Sequence, residues 1–439
     1  MSAIGRMKSA LIAVSLMGVT AGPAVAAQLC GTYSGHGCAP ESSRVDLATP
    51  AFSNPTRVDN PLFPISSLRS AVFLGREEGR PFRSETTLLP DVGTVTWNGR
   101  RIQVLLSQYM AWRDGRLEEV ARDRYAQADD GSVWYLGEDV IDYLHGHAIT
   151  TEGTWLAGRE GPPAMIMPAH PSLGDVFRTE NVPGIVFEQV TVEAVGRTVA
   201  GPHGPVKGAI VGQELHLDGT TERKTFAPGY GEFLTGADRN VEALALAVPA
   251  DALTAPTPPG PQRLGTGASG VLGSVEADDW RAARATVKAM HAQWAGLRRA
   301  GQPRLIAAKL EGALRRLSHA VHRRRRRRTI QLALDIQQSV LDLQLRYEPQ
   351  ESIDLGRMEL WCQRLRADAA SRNAAAVSGD ATTLDWVRDR ITHALTPDEL
   401  RQLDVRLARL QAAADAGRTA AAADHAARLI GLLREIPRT

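Results

Sequence analysis

The alternation of apolar and polar residues changes once along the chain, and this change divides the chain into two parts. Residues 60–248 carry short alternating stretches of the kind that half-buried strands have. In the segment IVFEQVTVEAVG, every second residue from Val186 to Val192 falls on one side of a strand, and the residues between them fall on the other. The pattern predicts β structure over this part.

The turns between these stretches have the chemistry of β-hairpins. Asn-Gly and Asp-Gly supply the positive φ angles of type I′ turns, whose twist matches that of paired antiparallel strands. They occur at Asn98-Gly99, Asp114-Gly115, Asp130-Gly131 and Asp218-Gly219. The sequence therefore predicts an antiparallel β meander, curved into a barrel or a sandwich.

Residues 276–436 follow a helical period instead. Apolar residues recur three or four positions apart, beginning with a stripe that starts at Trp280. Thr396, Pro397 and Glu399 have the pattern of a capping box at the start of a later helix. About seven helices joined by short turns form a predicted α-helical bundle, so the predicted fold class is α+β with two domains.

Residues 249–275 separate the two parts. This segment is rich in Pro, Gly, Ala and Thr and carries almost no charge, which is typical of a linker. A chain of 439 residues also exceeds what one hydrophobic core usually supports. We therefore predict a β domain over residues 60–248, a linker over residues 249–275, and a helical domain over residues 276–436.

The first residues have the order of a secretory signal peptide. Arg6 and Lys8 precede an apolar run, and Ala24-Val25-Ala26 follows it. We predict a signal peptide over residues 1–26 and export to the periplasm or the extracellular side of the cell envelope; the alternative is a buried N-terminal helix. The run is shorter than the roughly 18 to 20 residues of a membrane-spanning helix, so no transmembrane helix is expected in the mature chain.

Residues 27–59 are expected to form an extended segment that contains two of the three cysteines. Cys30 and Cys38 enclose a short Gly-rich loop, and a disulfide between them suits an oxidising compartment. One alternative is lipid attachment to Cys30, although Leu29 is not the small residue that such attachment favours. The other is a metal site formed by Cys30, His36 and Cys38.

The helical part is basic and the remainder is acidic, which predicts that charged faces of the two parts oppose each other. Residues 276–439 hold 29 Lys and Arg against 20 Asp and Glu, and the rest holds 22 against 29. Six consecutive arginines lie between apolar stripes that end at Val321 and begin at Ile330, where a solvated helix turn is expected. They are Arg323, Arg324, Arg325, Arg326, Arg327 and Arg328.

The arginine run has a second interpretation, as a contact of all six residues to an anionic lipid or polymer surface. Nucleic acid is not an expected partner, because export separates the chain from it. No aromatic residue interleaves with the arginines for base stacking, which also speaks against this partner.

The segment GEDVIDYLHGH holds the densest group of candidate metal ligands or acid and base groups. These are Glu138, Asp139, Asp142, His145 and His147. Strand alternation separates Glu138 and Asp142 from Asp139, and the two histidines flank a glycine in a hairpin-turn pattern. The chain lacks a Gly-x-Ser-x-Gly elbow, a His-Glu-x-x-His motif, a phosphate-binding loop and a dinucleotide fingerprint, so no catalytic residue is assigned.

Four motifs of the sheet part resemble those of an uncharacterised family of exported bacterial proteins. They are Trp134-Tyr135-Leu136-Gly137-Glu138, Gly153–Gly158, Met167–Pro171 and Lys224–Gly231. The segments LDLQLRYEP and DLGRMELWCQRLRADAA are similar to the C-terminal helical extension of some members. The resemblance implies export and the two-part architecture, and it assigns no catalytic residues.

Two functions from different classes are consistent with the sequence. The preferred one is a binding or scaffold protein of the cell envelope, with an unidentified envelope molecule as its partner. Its candidate ligand-binding residues are aromatic, although aromatic residues in strands often belong to the core. They are Trp97, Trp112, Trp134, Tyr135 and Trp155. The alternative is a metal-binding protein or metal-dependent enzyme that uses the GEDVIDYLHGH segment, with a divalent metal as its cofactor.

Overall fold

The computed structural model describes residues 29, 30, 33–36, 38–182 and 184–438, with side chains from residue 38 onward. The predicted signal peptide lies outside the described residues. So does the Cys30 side chain, and with it the predicted disulfide and its two alternatives. A large antiparallel sheet followed by eight helices in the described residues confirms the predicted α+β layout.

Sixteen strands occur in the described part of the chain. Two of them, β1 Leu29–Cys30 and β2 Tyr33–His36, form a separate small ladder. The other fourteen make one sheet: β3 Ser70–Glu77, β4 Arg80–Trp97, β5 Arg100–Arg113, β6 Arg116–Gln127, β7 Val133–Leu144, β8 His147–Thr150, β9 Trp155–Leu156, β10 Ala164–Met167, β11 Val176–Val182, β12 Val186–Ala200, β13 Pro205–His216, β14 Thr221–Ala227, β15 Gly231–Ala237 and β16 Asn240–Val248.

The sheet consists of two meanders joined side by side. Its strands run in the order β10-β7-β6-β5-β4-β3-β16-β15-β14-β13-β12-β11, and β8 and β9 also pair with β7. The end strands β10 and β11 contact each other, but no hydrogen-bonded ladder joins them among the described residues. The sheet therefore curls without closing, and we call the face that buries Tyr135, Phe177 and Phe226 in one core the inner face.

Two of the four predicted type I′ turns are confirmed. Asn98 and Gly99 join β4 to β5 with φ angles of 48° and 72°, and Asp114 and Gly115 join β5 to β6 with 51° and 72°. Both central residues of a type I′ turn need this left-handed conformation, which Asn, Asp and Gly adopt most readily. Asp130-Gly131 and Asp218-Gly219 also join neighbouring strands, β6 to β7 and β13 to β14, but only their glycines have positive φ, at 91° and 83°. The predicted type I′ geometry is therefore wrong for these two longer loops.

Eight helices follow the sheet in the described residues, where about seven were expected. They are α1 Pro259–Glu276, α2 Trp280–Arg299, α3 Arg304–His322, α4 Arg326–Gln344, α5 Gln350–Ala370, α6 Ala374–Arg388, α7 Pro397–Asp415 and α8 Thr419–Glu435. The predicted capping box of α7 is confirmed, because Thr396 and Glu399 each bond the other's backbone N–H.

The segment that the sequence predicts to be a linker contains the whole of α1 except its last residue, so that prediction is wrong over most of its length. Leu264, Ala268, Val271 and Val275 lie on one buried stripe of this helix. Its small residues allow close packing: a Cβ on Gly267 would lie 2.6 Å from Met290 of α2. The composition that resembles a linker is here a requirement for close helix packing.

The helices pack on the outer face of the sheet through two apolar cores. In the first, Met110, Trp112 and Val120 of the sheet pack with Met358 and Trp361 of α5. The rings of Trp112 and Trp361 stack with their centroids 5.8 Å apart. The second core joins β3 and β16 to helices α1–α4 and the start of α5. In the described residues, none of the helices has both the length and the apolar character needed to span a bilayer.

A group of buried charged side chains lies between these two cores, and we call it the interface network. It contains three guanidinium groups and three carboxylates, all less than a tenth exposed. Two residues come from β4 and the others from α4, α5 and the segment after α6: Arg83, Glu85, Asp342, Asp354, Arg357 and Arg390.

The contacts of the interface network are short. Arg83 donates to both oxygens of Asp342 at 2.8 Å, Arg390 donates to Glu85 at 2.6 Å, and Arg357 donates to Asp354 at 2.8 Å. Burial alone would raise the pKa of Glu85, but Arg357, Arg83 and Arg390 outweigh burial and hold this pKa well below its usual range. Matched charges thus join the two parts of the chain.

Charges at this boundary run in both directions. Sheet arginines meet helix carboxylates, as Arg116 does with Asp368 at 2.6 Å, while helix arginines meet Glu85 of the sheet. The net charge of each part therefore does not describe the boundary. The excess negative charge of the sheet and the excess positive charge of the helices lie elsewhere.

Candidate metal centre inside the sheet

Three neighbouring strands place charged residues on the inner face of the sheet. Glu188 lies on β12, Glu214 and His216 lie on β13, and Glu222 and Lys224 lie on β14. Residues two apart share a face of a strand, so the alternation brings each pair to the same side. The register pairs Glu188 with His216 and Glu214 with Glu222. We call these five residues the inner cluster.

The inner cluster is buried and its members are close together. Its side chains are at most 14 % exposed. His216 Nδ1 lies 3.4 Å from Glu188 Oε1, and His216 Nε2 lies 3.6 Å from Glu222 Oε1 and 3.8 Å from Glu214 Oε2. Lys224 Nζ lies 2.7 Å from Glu214 Oε2. Three carboxylates thus surround one imidazole and one ammonium group.

The charges of the inner cluster are not balanced when all its groups are ionised. Burial and the nearby Glu188 raise the pKa of Glu214 to about 8, although Lys224 acts in the opposite direction. Burial lowers the pKa of His216, but the carboxylates of Glu188 and Glu222 outweigh it and raise this pKa to about 11. Counted over these five residues alone, three ionised carboxylates face two cations, and a proton on Glu214 or a bound cation would offset the difference.

Glu188, Glu214 and His216 meet the first requirement of a metal site. One ligand atom from each lies within 4.8 Å of the other two. Metal–ligand bonds of about 2.0–2.2 Å around a tetrahedral ion place neighbouring ligand atoms roughly 3.3–3.6 Å apart, so modest side-chain movements would close this trio around an ion. Thr179 Oγ1 donates to a carboxylate oxygen of Glu188 or Glu214, 3.3 Å from each, which holds these two side chains side by side.

Three polar atoms of the inner cluster are buried without a hydrogen bond among the described residues: Glu214 Oε2, His216 Nε2 and Glu222 Oε1. The first has the ammonium group of Lys224 beside it, whereas the other two face each other at 3.6 Å, slightly beyond hydrogen-bond distance. A carboxylate behind a metal-bound histidine commonly orients the imidazole ring. Glu222 lies where such an orienting residue would be.

A cleft of about 380 Å³ lies on the outer face of the same strands. Gln213 and Arg223 neighbour inner-cluster residues in sequence but point to the opposite face, and they line the cleft together with Glu193 and Asp238. Glu222 also borders the cleft, whereas Glu188, Glu214 and His216 do not. The cleft therefore does not open onto the metal-ligand trio.

Further carboxylates lie buried along the inner face, on strands β6, β7, β15 and β16. They are Glu119, Asp123, Glu138, Glu232 and Glu242. Tyr135 donates a hydrogen bond of 2.7 Å to Asp123, and Ser84 donates to Glu242. The acidic balance of the sheet part is thus concentrated on its inner face, around the inner cluster.

The structure does not bring together the metal ligands expected in the GEDVIDYLHGH segment. Glu138 is buried on the inner face, while Asp139 is exposed on the other face and pairs with Arg124. His145 and His147 are exposed at the turn from β7 to β8. Asp142 lies between these positions, half-buried, and none of the five belongs to the metal-ligand trio found in the described residues.

The turn between His145 and His147 has a packing role. Gly146 has a φ of 82°, and a Cβ at this position would lie 2.3 Å from the carbonyl oxygen of Ala375. Ser378 of α6 donates a hydrogen bond of 3.0 Å to the Gly146 carbonyl. The turn therefore docks onto α6, which accounts for its glycine.

The five aromatic candidates are built into the packing of the sheet. Trp134, Tyr135 and Trp155 belong to the core of the inner face, and Trp97 packs against that core while half-buried. Trp112 lies on the outer face, against Trp361 of α5. The rings are thus divided between two faces, and four of them are buried, as the alternative interpretation of strand aromatics held.

The arginine run lies where the sequence placed it, in an exposed turn between two helices. Helix α3 ends at His322, α4 begins at Arg326, and Arg324 adopts a φ of 51° between them. A solvated helix turn is therefore confirmed. The exposed residues include the whole run: Arg323, Arg324, Arg325, Arg326, Arg327 and Arg328.

The six arginines are not equivalent, although the sequence treats them as one candidate contact surface. Arg325 and Arg328 line a pocket between α3 and α4, whereas Arg327, like the other three, does not. Arg327 and Arg328 are neighbours in the first turn of α4, and successive residues of a helix point in different directions. The six therefore differ in direction, and the contact of the run to an anionic surface stays a prediction.

No family model, no curated protein and no solved structure matches this chain. The resemblance to a family of exported bacterial proteins accordingly stays a prediction, and the candidate site depends on its geometry alone.

Proposed function

We propose that the protein is a non-catalytic binding protein that holds a divalent cation on the inner face of its sheet. Glu188, Glu214 and His216 are the proposed ligands, and His216, whose pKa is raised to about 11, loses its proton when the ion binds. The observation that carries the proposal is the convergence of two carboxylates and one imidazole within 4.8 Å in a buried cluster. The predicted signal peptide supports a setting in the cell envelope.

The donor set favours a particular class of ion. Imidazole nitrogen with carboxylate oxygen suits borderline metals such as Zn²⁺, whereas Ca²⁺ and Mg²⁺ prefer oxygen ligands throughout. With His216 Nδ1, which faces Glu188, as the ligand atom, Glu222 at Nε2 is placed to fix the ring orientation. Zn²⁺ is therefore the probe of choice.

Binding is favoured over catalysis by the burial of the proposed ligands. Their side chains are at most 14 % exposed, and the cleft of about 380 Å³ on the other face of these strands does not reach them. A metal-dependent reaction needs an ion whose open position faces the substrate. A buried trio therefore suits binding of the ion better than a reaction on a substrate.

The test is Zn²⁺ binding by the purified full-length chain after treatment with a chelator. We expect one Zn²⁺ per chain by elemental analysis, and an affinity by calorimetry that Glu188→Gln and Glu214→Gln each weaken by at least about 100-fold. Glu222→Gln should weaken it by about 10- to 100-fold, as second-sphere substitutions typically do. Lys224→Met should strengthen it, because the ammonium group competes with the ion for Glu214.

The matched control replaces two exposed histidines outside the inner cluster, with His145→Ala and His147→Ala in one chain. This variant should bind Zn²⁺ as the parent does, and circular dichroism should show that all variants keep their secondary structure. Unchanged stoichiometry in the combined Glu188→Gln and Glu214→Gln variant would overturn the proposal. So would loss of binding in the histidine control, which would return the site to the GEDVIDYLHGH segment.

A further inference from the structure

The turn between α3 and α4 carries a second charge cluster, and its positive charges are not neutralised by nearby carboxylates. Arg323–Arg328, which we call the arginine tip, are exposed, and none of the six pairs with a carboxylate in the part of the chain that the structure describes. Some other arginines of the helical part are paired, as Arg357 is with Asp354 and Arg388 is with Asp404, whereas others, such as Arg299 and Arg409, are not paired among the described residues. What distinguishes the tip is that six guanidinium groups, unpaired within this described part, are consecutive in the chain.

Several acidic residues near the tip already have local partners, although Glu276, next to Val275, has none among the described residues. Glu311 lies 3.3 Å from Arg315, one helical turn away. At the turn from α1 to α2, Asp278 accepts from the Trp280 indole N–H, and Asp279 caps α2 by accepting from a backbone N–H. Arg326 donates to the Val275 carbonyl and so ties the tip to this turn through a backbone oxygen. The positive charge of the tip is left to face outward.

Part of this charge lines a small pocket of about 310 Å³ between α3 and α4. Apart from Ala320, its lining residues are all basic: Arg315, Arg316, His319, Arg325 and Arg328. Guanidinium groups present N–H donors in a planar fork that matches the oxygens of a phosphate group. The volume lies at the lower end of the range for ligand pockets and suits one headgroup better than an extended molecule.

We propose that this pocket binds the phosphate group of an anionic phospholipid, so that the arginine tip docks the protein on a membrane surface. Residues 322–328 offer no apolar side chain for insertion into the bilayer, so the contact is made at the level of the headgroups. Nucleic acid fits less well, because the tip has no aromatic residue for base stacking and Trp280 at the adjoining turn is buried.

The experiment measures binding of the full-length chain to sedimented vesicles. Vesicles that contain phosphatidylglycerol should bind the protein at low salt, and vesicles of phosphatidylcholine alone should not. The combined variant Arg316→Gln, Arg325→Gln and Arg328→Gln should bind about 100-fold more weakly, because each basic residue near an anionic surface contributes roughly a fivefold factor. Binding should also fall as salt rises, since exposed charges are screened.

A matched variant separates a specific pocket from general charge. Arg299→Gln, Arg409→Gln and Arg428→Gln also remove three positive charges, but from exposed positions outside the pocket. This control should keep most of the vesicle binding. Equal loss in both triple variants would overturn the pocket, since binding would then follow net charge alone.

Two further probes test the source of the phosphate. Inorganic pyrophosphate should compete with the vesicles if the pocket recognises phosphate, and failure to compete even at high concentration would overturn that recognition. A single-stranded oligonucleotide is the second probe. If it bound more tightly than the anionic vesicles and the pocket variant abolished this binding, the ligand of the pocket would be nucleic acid and not a phospholipid. None of these outcomes depends on whether the inner cluster holds a metal ion.

Discussion

Two groups of buried charges lie on opposite faces of one sheet, and they differ in how their charges are matched. The interface network sets three guanidinium groups against three carboxylates, and each carboxylate has a guanidinium nitrogen within 2.8 Å. The inner cluster sets three carboxylates against two cations, and the distances from His216 to its carboxylates lie between 3.4 and 3.8 Å. The first group has the geometry of a joint, and the second has the spacing of a site for a cation.

The difference follows from the cost of burying charge. A buried charge is tolerated where an opposite charge and hydrogen bonds replace the water it loses. The interface network comes close to this condition, although Arg357 Nε and Arg390 Nη2 lack a partner among the described residues. The charges of the inner cluster are less well matched, so an added cation should stabilise this group more than it would the interface network. Four predictions test this contrast.

The largest change in the free energy of unfolding is expected from disrupting the interface network. Glu85→Gln leaves Arg83, Arg357 and Arg390 with one carboxylate fewer, and removing one partner of a buried ionic group typically costs about 3–5 kcal/mol. The pKa of Glu85 is held below its unfolded value, so its contribution is present above about pH 4.5 and is lost as the pH falls. Urea unfolding at neutral pH measures the change in the free energy of unfolding.

The control for this variant is an exposed ion pair. Asp398 pairs with Arg401 at 2.7 Å, but both side chains are about 70 % exposed. Asp398→Asn should therefore lower the free energy of unfolding by less than about 1 kcal/mol. If Glu85→Gln cost no more than this, the interface network would not be the joint described above.

The next effect comes from filling the inner cluster. Zn²⁺ at about 100 times its dissociation constant should raise the free energy of unfolding by about 2.7 kcal/mol, because the ion binds the folded state. The gain should appear in the parent and in Glu85→Gln alike, and it should vanish in Glu214→Gln. A gain that survives in Glu214→Gln would place the ion elsewhere in the chain.

The third prediction concerns a neighbouring carboxylate on the inner face. Burial and the nearby Glu232 raise the pKa of Glu242 to about 8. Between about pH 4.5 and pH 8, Glu242 of the folded chain therefore still holds a proton that the unfolded chain has already released. The free energy of unfolding should fall as pH rises through this window, by up to about 1.4 kcal/mol per pH unit from this residue.

Glu242→Gln removes this titration, so the variant should lose less stability than the parent between pH 5.5 and pH 7.5. The remaining slope would come from groups such as Glu214, whose pKa is also raised to about 8. Glu193→Gln, on the more exposed part of β12, is the matched control and should leave the slope unchanged. Parallel slopes for the parent and Glu242→Gln would show that Glu242 is ionised in the folded state.

The elements of the fold were predictable because their signals are local. Asn98-Gly99 and Asp114-Gly115 dictate their turns through φ angles that few other residues adopt, and Thr396 with Glu399 dictates the start of α7. Helix α1 was missed because its glycines are needed for packing against α2, and only the tertiary contact shows that need. Local chemistry thus predicts turns and caps better than it predicts a helix made of small residues.

The candidate site was missed for a different reason. Glu214 and His216 precede the Asp218-Gly219 turn, and Glu222 and Lys224 follow it, so alternation across this hairpin already predicts a shared face. Glu188 comes from a separate strand, and its register against β13 is not a local signal. The GEDVIDYLHGH segment is a candidate from the sequence because its polar residues are close along the chain. The residues of the inner cluster come together only in the folded sheet.

The smallest effect is expected at the edge of the interface, where the joint meets solvent. Arg116 donates to Asp368 at 2.6 Å, but 42 % of its side chain is exposed, so water screens the pair. Arg116→Gln should therefore lower the free energy of unfolding by at most about 1 kcal/mol, well below the effect of Glu85→Gln. The same urea measurements compare the two variants directly. If Arg116→Gln lowered the free energy of unfolding as much as Glu85→Gln does, burial would not decide how much an ion pair contributes. Every ionic contact between the sheet and the helices would then contribute about equally.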